Sequence, residues 1–65
     1  MFYGVELWYG YTTDNHYFKT YGEAHHCFVD AMCDEACNYG EFGRYDEVMT
    51  DNGYQWEYHK LLSFG

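Results

Sequence analysis

The stretch Thr20–Tyr39, TYGEAHHCFVDAMCDEACNY, constrains the fold of this chain more than any other part of it. It is the only long segment with helical periodicity, and it holds all three cysteines and two of the four histidines. On a helix, Tyr21, Ala24, Phe28, Met32, Ala36 and Tyr39 share one side, with Val29 beside them. Glu23, His26, Asp30 and Asp34 share the other. An amphipathic helix is expected, with one buried stripe and one acidic stripe, and the rest of the chain has to cover the first of these. Thr20 is the expected N-cap. Glu23, three residues on, completes a capping box near the positive end of the helix dipole. Gly22 weakens the first turn by up to ~1 kcal/mol relative to Ala, so the cap matters. Gly40 is expected to take the left-handed conformation that stops the helix after Asn38 and Tyr39.

The flanking segments read as strands. Phe2–Tyr9 alternates, with Tyr3, Val5, Leu7 and Tyr9 expected toward the helix and Phe2, Gly4, Glu6 and Trp8 on the other face. Gly10–Asn15 has turn chemistry, and His16–Lys19 reads as a short second strand. Residues 40–43 read as a loop. Arg44–Asp51 and Tyr54–Leu62 flank Asn52-Gly53, the strongest short-range hairpin signal, and a type I′ turn is expected there. In that register Met49 faces Trp56, Glu47 faces Tyr58 and Tyr45 faces Lys60. The side bearing Tyr54, Trp56 and Tyr58 is placed toward the helix, which leaves Asp46, Val48, Glu57 and His59 outside. Ser63–Gly65 is expected to fray. The expected fold is a single α+β domain over residues 1–65: a small antiparallel sheet in ββαββ order with one amphipathic helix packed on one face.

A chain of 65 residues buries only about 60% of the surface that its unfolded form exposes, so its core is small. Nine Tyr, five Phe and two Trp supply that core, because each large ring buries roughly 150–250 Å². So short a chain cannot bury all of them, and surface rings in a cluster point to a binding face. Eleven Asp and Glu stand against three Lys and Arg, for a formal net charge of −8. That balance argues against direct binding to nucleic acid or an anionic membrane, since phosphate contacts need Lys and Arg. It suits a partner with a basic groove, and it also keeps an aromatic-rich chain soluble. No apolar run approaches the ~20 residues of a membrane span, and no basic-then-apolar signal sequence opens the chain. With an odd number of cysteines, the expectation is a cytoplasmic protein with reduced thiols.

The cysteines and histidines invite a metal site, but their spacing argues against one. His26 and Cys37 lie about 16 Å apart on a continuous helix, far beyond one ion's ligand shell. Cys27, Cys33 and Cys37 contain no C-x-x-C pair. The expected role of Cys33 is a small apolar residue bordering the core, with Cys27 and Cys37 partly exposed. His26 and Cys27 point in different directions on a helix and form no obvious dyad. No glycine-rich phosphate loop is present. The expectation is therefore no catalysis, no cofactor and no metal.

The acidic residues form the more coherent set. Glu23, Asp30 and Asp34 run down the outer helix face with Glu35 at one edge, and Glu41, Asp46, Glu47 and Glu57 follow in or near the last hairpin. Phe42, with Tyr39 and Tyr45, is the expected aromatic anchor of a contact made there. In length, charge, absence of proline and strand–TYGEA–helix–strand order, the chain resembles the small acidic proteins with which bacteriophages block host machinery. These include DNA-mimic anti-CRISPR and anti-restriction proteins and inhibitors of RNA polymerase. The resemblance implies stoichiometric inhibition in the host cytoplasm, with a basic DNA-binding groove occupied by carboxylates. A CRISPR effector is the favoured target, and RNA polymerase or a restriction enzyme are others. The competing expectations are a small thiol- or zinc-binding module built on the three cysteines, and a regulatory module that pairs through its aromatic surface.

Overall fold

A computed structural model describes all residues, Met1–Gly65. Strand β1 (Phe2–Trp8) is followed by β2 (Thr13–Phe18), helix α1 (Tyr21–Met32), β3 (Tyr39–Thr50) and β4 (Gly53–Phe64). The four strands form one antiparallel sheet in the order β2-β1-β3-β4, and α1 packs on one of its faces. The α+β fold and ββαββ order are those expected from the sequence. β1 lies at the centre because its neighbours are the strands that precede and follow the helix.

The alternation of β1 sets the layers. Val5 and Leu7 are buried under the helix, with Tyr3 and Tyr9 packed at the edges of the same core. From α1 come Ala24, Phe28 and Ala31, and from β3 comes Phe42. Phe28 and Phe42 are fully buried, with ring centroids 5.0 Å apart. Thr20 caps the helix as expected, its hydroxyl oxygen accepting from the Glu23 N–H at 3.3 Å, but the box closes differently: Glu23 Oε1 accepts from the Thr20 hydroxyl at 2.8 Å and not from its backbone N–H.

The helix is shorter than its periodicity suggests. It ends at Met32, which is exposed, and not near Tyr39. Asp34 breaks it by offering the backbone local alternatives: its Oδ1 accepts from the Ala36 N–H at 3.0 Å and its carbonyl from the Cys37 N–H at 3.1 Å. The chain then turns back, and the Asn38 N–H donates to the Trp8 carbonyl at 2.7 Å, which begins the pairing of β3 with β1. Consequently Asp34 and Glu35 lie beyond the helix. Cys37 is buried and Cys33 exposed, the reverse of the expectation, because the turn carries Cys37 under the core.

Residues 40–43 are strand, not loop, and Gly40 is not a left-handed helix stop. A side chain at Gly40 would run into the Phe64 ring. That ring packs on Phe28 at 5.3 Å, so the C-terminal residues form strand instead of fraying.

The last hairpin forms where Asn52-Gly53 places it, in a different register. No non-glycine residue has positive φ, so Asn52 cannot fill a type I′ turn. Asp51 and Asn52 make the turn, Gly53 takes φ 106°, and Thr50 pairs with Gly53. Met49 therefore faces Tyr54, Glu47 faces Trp56 and Tyr45 faces Tyr58. Tyr54, Trp56 and Tyr58 share one side as expected, but that side is turned away from the helix. The pairing explains this: Val5 opposite Phe42 fixes Phe42 toward α1, so Tyr45, three residues on, faces the other way. In β4, Phe42 pairs with Leu62 and Gly43 with Lys60, leaving Leu61 as a bulge. The bulge moves Leu62 and Phe64 to the helix side while Tyr54, Trp56, Tyr58 and Lys60 stay on the open side.

Candidate functional site

The carboxylates expected to form one surface are distributed over three places. Glu23 and Asp30 on α1, with Asp34 in the following turn, border an open groove of about 540 Å³ between the helix and β2. Leu7, Phe18 and Ala31 line its floor, while His16, His26 and Cys27 stand among the acids. His26 Nε2 lies 3.7 Å from Asp30. Burial, and then the nearby Asp30 charge, push the Cys27 thiol up from its ordinary range, which keeps it protonated at neutral pH. Glu35 is exposed in the turn beyond Asp34.

The second group lies on the same side of the sheet, further along the hairpin. Asp46 and Glu57 are cross-strand partners. His59 lies between them, with Nε2 3.6 Å from Asp46 and 3.4 Å from Glu57. The Arg44 Nε–H donates to Asp46 at 2.9 Å. This pair is thus tied to the two basic groups beside it.

The third group is on the open face, where Glu41 and Glu47 point away from α1. Glu47 is exposed. Glu41 accepts hydrogen bonds from the Tyr39 hydroxyl at 2.9 Å and the Tyr58 hydroxyl at 2.7 Å. Phe42, the expected anchor, is fully buried on the opposite face and offers no ring to a partner. Its neighbours Tyr39 and Tyr45 do face the open side, because side chains alternate along β3.

The open face also carries residues that the sequence reading did not select. The Glu6 carboxylate stands across from Glu41 and accepts from the Trp8 indole N–H. Phe2 stacks on Tyr45 at 4.7 Å and meets Trp56 edge-on at 4.9 Å; Tyr58 lies 4.9 Å from Tyr45. Phe2, Tyr17, Tyr45 and Trp56 line a shallow apolar hollow of about 430 Å³. The signal for this face was the second register of β1, Phe2-x-Gly4-x-Glu6-x-Trp8. It names the right residues but does not say that Tyr17 and Tyr45 stand beside them.

Burial and the hydrogen bond to Glu41 push the Tyr58 hydroxyl far above its ordinary pKa. Tyr45 is raised by burial and then by neighbouring Tyr17, Glu6 and Glu41; Tyr39 is raised first by its hydrogen bond to Glu41. Tyr39 and Tyr58 are held neutral as donors to Glu41, and Tyr45 is held neutral by burial and the acids beside it. The three thiols are free and dispersed, and no three His, Cys, Asp or Glu side chains converge on a point where a metal ion would fit. No helix is long and apolar enough to cross a membrane. No family model matches the chain, and no curated protein or solved structure is significantly similar to it.

Proposed function

We propose that this protein is a non-catalytic inhibitor of the phage anti-CRISPR-like type, which blocks the basic DNA-binding groove of a host complex with its carboxylates. The observation that carries the reading is the lack of charge compensation. Of eleven carboxylates, only Asp46 has an Arg or Lys within ion-pair distance, and no charged side chain is buried. Most of the acids thus carry a charge that no Lys or Arg of the chain offsets. A net charge of −8 along a body 43 Å long gives roughly one charge per 5 Å. One DNA strand carries about one per 3.4 Å and a duplex about one per 1.7 Å, so the match is nearer to a single strand. The acids assigned to the contact are those of the helix side, Glu23, Asp30, Asp34 and Glu35, since Glu47 points to the opposite face of the sheet. Asp46 and Glu57 are already engaged by Arg44 and His59. A CRISPR effector remains the favoured target.

The test is capture from a bacterial lysate containing CRISPR effectors and RNA polymerase, with washes of rising salt and with DNA as competitor. The expected outcome is retention of a DNA-binding complex that is lost with salt and displaced by DNA. Reversing Glu23, Asp30, Asp34 and Glu35 to Lys should weaken capture by at least about a hundredfold, with circular dichroism confirming that the variant is folded. A folded quadruple variant that captures the complex as well as the parent does would refute the reading.

A further inference from the structure

On the face of the sheet away from α1, two cross-strand pairs of β1 and β3 stand side by side: Gly4 opposite Gly43, and Glu6 opposite Glu41. The glycines let aromatic rings lie directly on the sheet. A Cβ on Gly4 would come within 2.8 Å of the Tyr45 ring, and one on Gly43 within 2.5 Å of the Tyr58 ring. The rings of Tyr17, Tyr45 and Tyr58 thus pack onto the two glycines and wall a cleft of about 270 Å³ flanked by the two carboxylates.

Like charges directly opposite each other disfavour strand pairing. Here neither has a Lys, Arg or His within ion-pair distance. Their hydrogen-bond donors are the Tyr39 and Tyr58 hydroxyls on Glu41 and the Trp8 indole on Glu6 Oε1. These groups are neutral: they orient the carboxylates without cancelling their charge, and Glu6 Oε2 has no protein donor. A cation placed between aromatic walls and two oriented carboxylates would relieve the repulsion.

We infer that this cleft receives an arginine side chain from a basic protein partner, with the guanidinium against the tyrosine rings and its N–H groups on Glu6 and Glu41. A guanidinium suits the site better than an ammonium because it is planar, stacks on rings, bonds carboxylates in a fork and is weakly hydrated. The adjoining hollow at Phe2 and Trp56 takes an apolar neighbour in the partner. Charge complementarity selects this occupant. Nucleic acid would bring phosphate to carboxylate. A second copy would bring another −8 chain, whose one arginine, Arg44, lies on the other face and is held by Asp46.

The inference rests on the proposed function in taking the partner to be a basic protein, but the cleft can be tested without the host complex. The probe is an acetylated Arg-Gly-Arg-Gly-Arg peptide, titrated into the full chain by NMR alongside its lysine counterpart. The expected result is perturbation of the Gly4 and Gly43 amides and the Trp8 indole, with the arginine peptide bound at least about fivefold tighter. Glu6→Gln with Glu41→Gln should weaken binding about tenfold or more. Asp14→Asn with Asp51→Asn removes the same charge elsewhere and should weaken it less than about threefold. If the double glutamine variant loses its fold, Tyr17→Leu serves as the second probe and should also weaken binding. Equal affinity for the two peptides, equal loss in the two charge variants, or perturbations confined to the helix side would overturn the inference. So would a dimer in sedimentation that Trp56→Ser dissociates. If the glutamine variant still captures the host complex while the helix-side reversal does not, the cleft fails and the proposed function stands. If both variants capture it fully, the proposed function fails, and the peptide titration alone judges the cleft.

Discussion

At the scale of single residues, the core is carried by very few side chains, and each should be expensive to lose. Phe28 and Phe42 are fully buried against each other. Phe42→Ala should destabilise the fold by about 3–5 kcal/mol, a large share of what so small a domain has, and urea denaturation would read it as a lowered midpoint. The tyrosines make the opposite kind of statement. Tyr58, Tyr45 and Tyr39 have hydroxyls raised above the unfolded value of 10.0, so the fold prefers the neutral phenol. Their contribution is complete below about pH 10 and is lost as pH rises through the folded values. Stability should therefore fall above about pH 10, and Tyr58→Phe should flatten that fall while also releasing Glu41. Thermal melts across the alkaline range would show it, and an unchanged slope would contradict the assignment.

At the scale of elements, the hairpin divides into a supported half and an arm. β1 pairs with β3 only as far as Tyr45, and α1, about 18 Å long, covers the same region. Beyond Tyr45, β3 and β4 run on as a two-stranded ribbon with Met49, Tyr54 and Trp56 exposed. A two-stranded hairpin is marginal in water by itself. Amide exchange should be faster by at least about tenfold at Val48 and Gln55 than at Val5 and Phe42, and exchange followed by NMR would measure the gradient. Uniform protection along the hairpin would mean that something else braces the arm. The Leu61 bulge belongs to this scale too. It lets one strand show aromatic rings to the open face along the arm and still pack Phe64 on Phe28 beneath the helix.

At the scale of the whole molecule, the charge opposes the fold it rides on. A net −8 on 65 residues is a self-repulsion that salt screens. The melting temperature should rise by a few degrees between about 10 and about 150 mM sodium chloride, while affinity for a basic partner falls over the same range. Calorimetry and the graded capture experiment read the two halves of this opposition. A melting temperature indifferent to salt would mean that the carboxylates are spaced widely enough not to repel.

The sequence by itself determined the local and periodic features. The Thr20–Glu23 cap, the inward set Tyr3, Val5, Leu7 and Tyr9, the existence of the last hairpin and the excess of acids are all written in near neighbours, because caps, alternation and turns involve residues a few positions apart. Periodicity overruns the helix end because Ala36 and Tyr39 continue the period, whereas Asp34 stops the helix through hydrogen bonds that periodicity does not record. The tertiary structure alone decided which way the hairpin faces. That depends on Val5 pairing with Phe42, on Gly40 making room for Phe64 and on the Leu61 bulge. Each of these is a contact between segments distant in the chain. The same contacts bury Phe42, split the acids into three groups and bring Glu6 beside Glu41, so a site made across strands was not visible until the strands were paired.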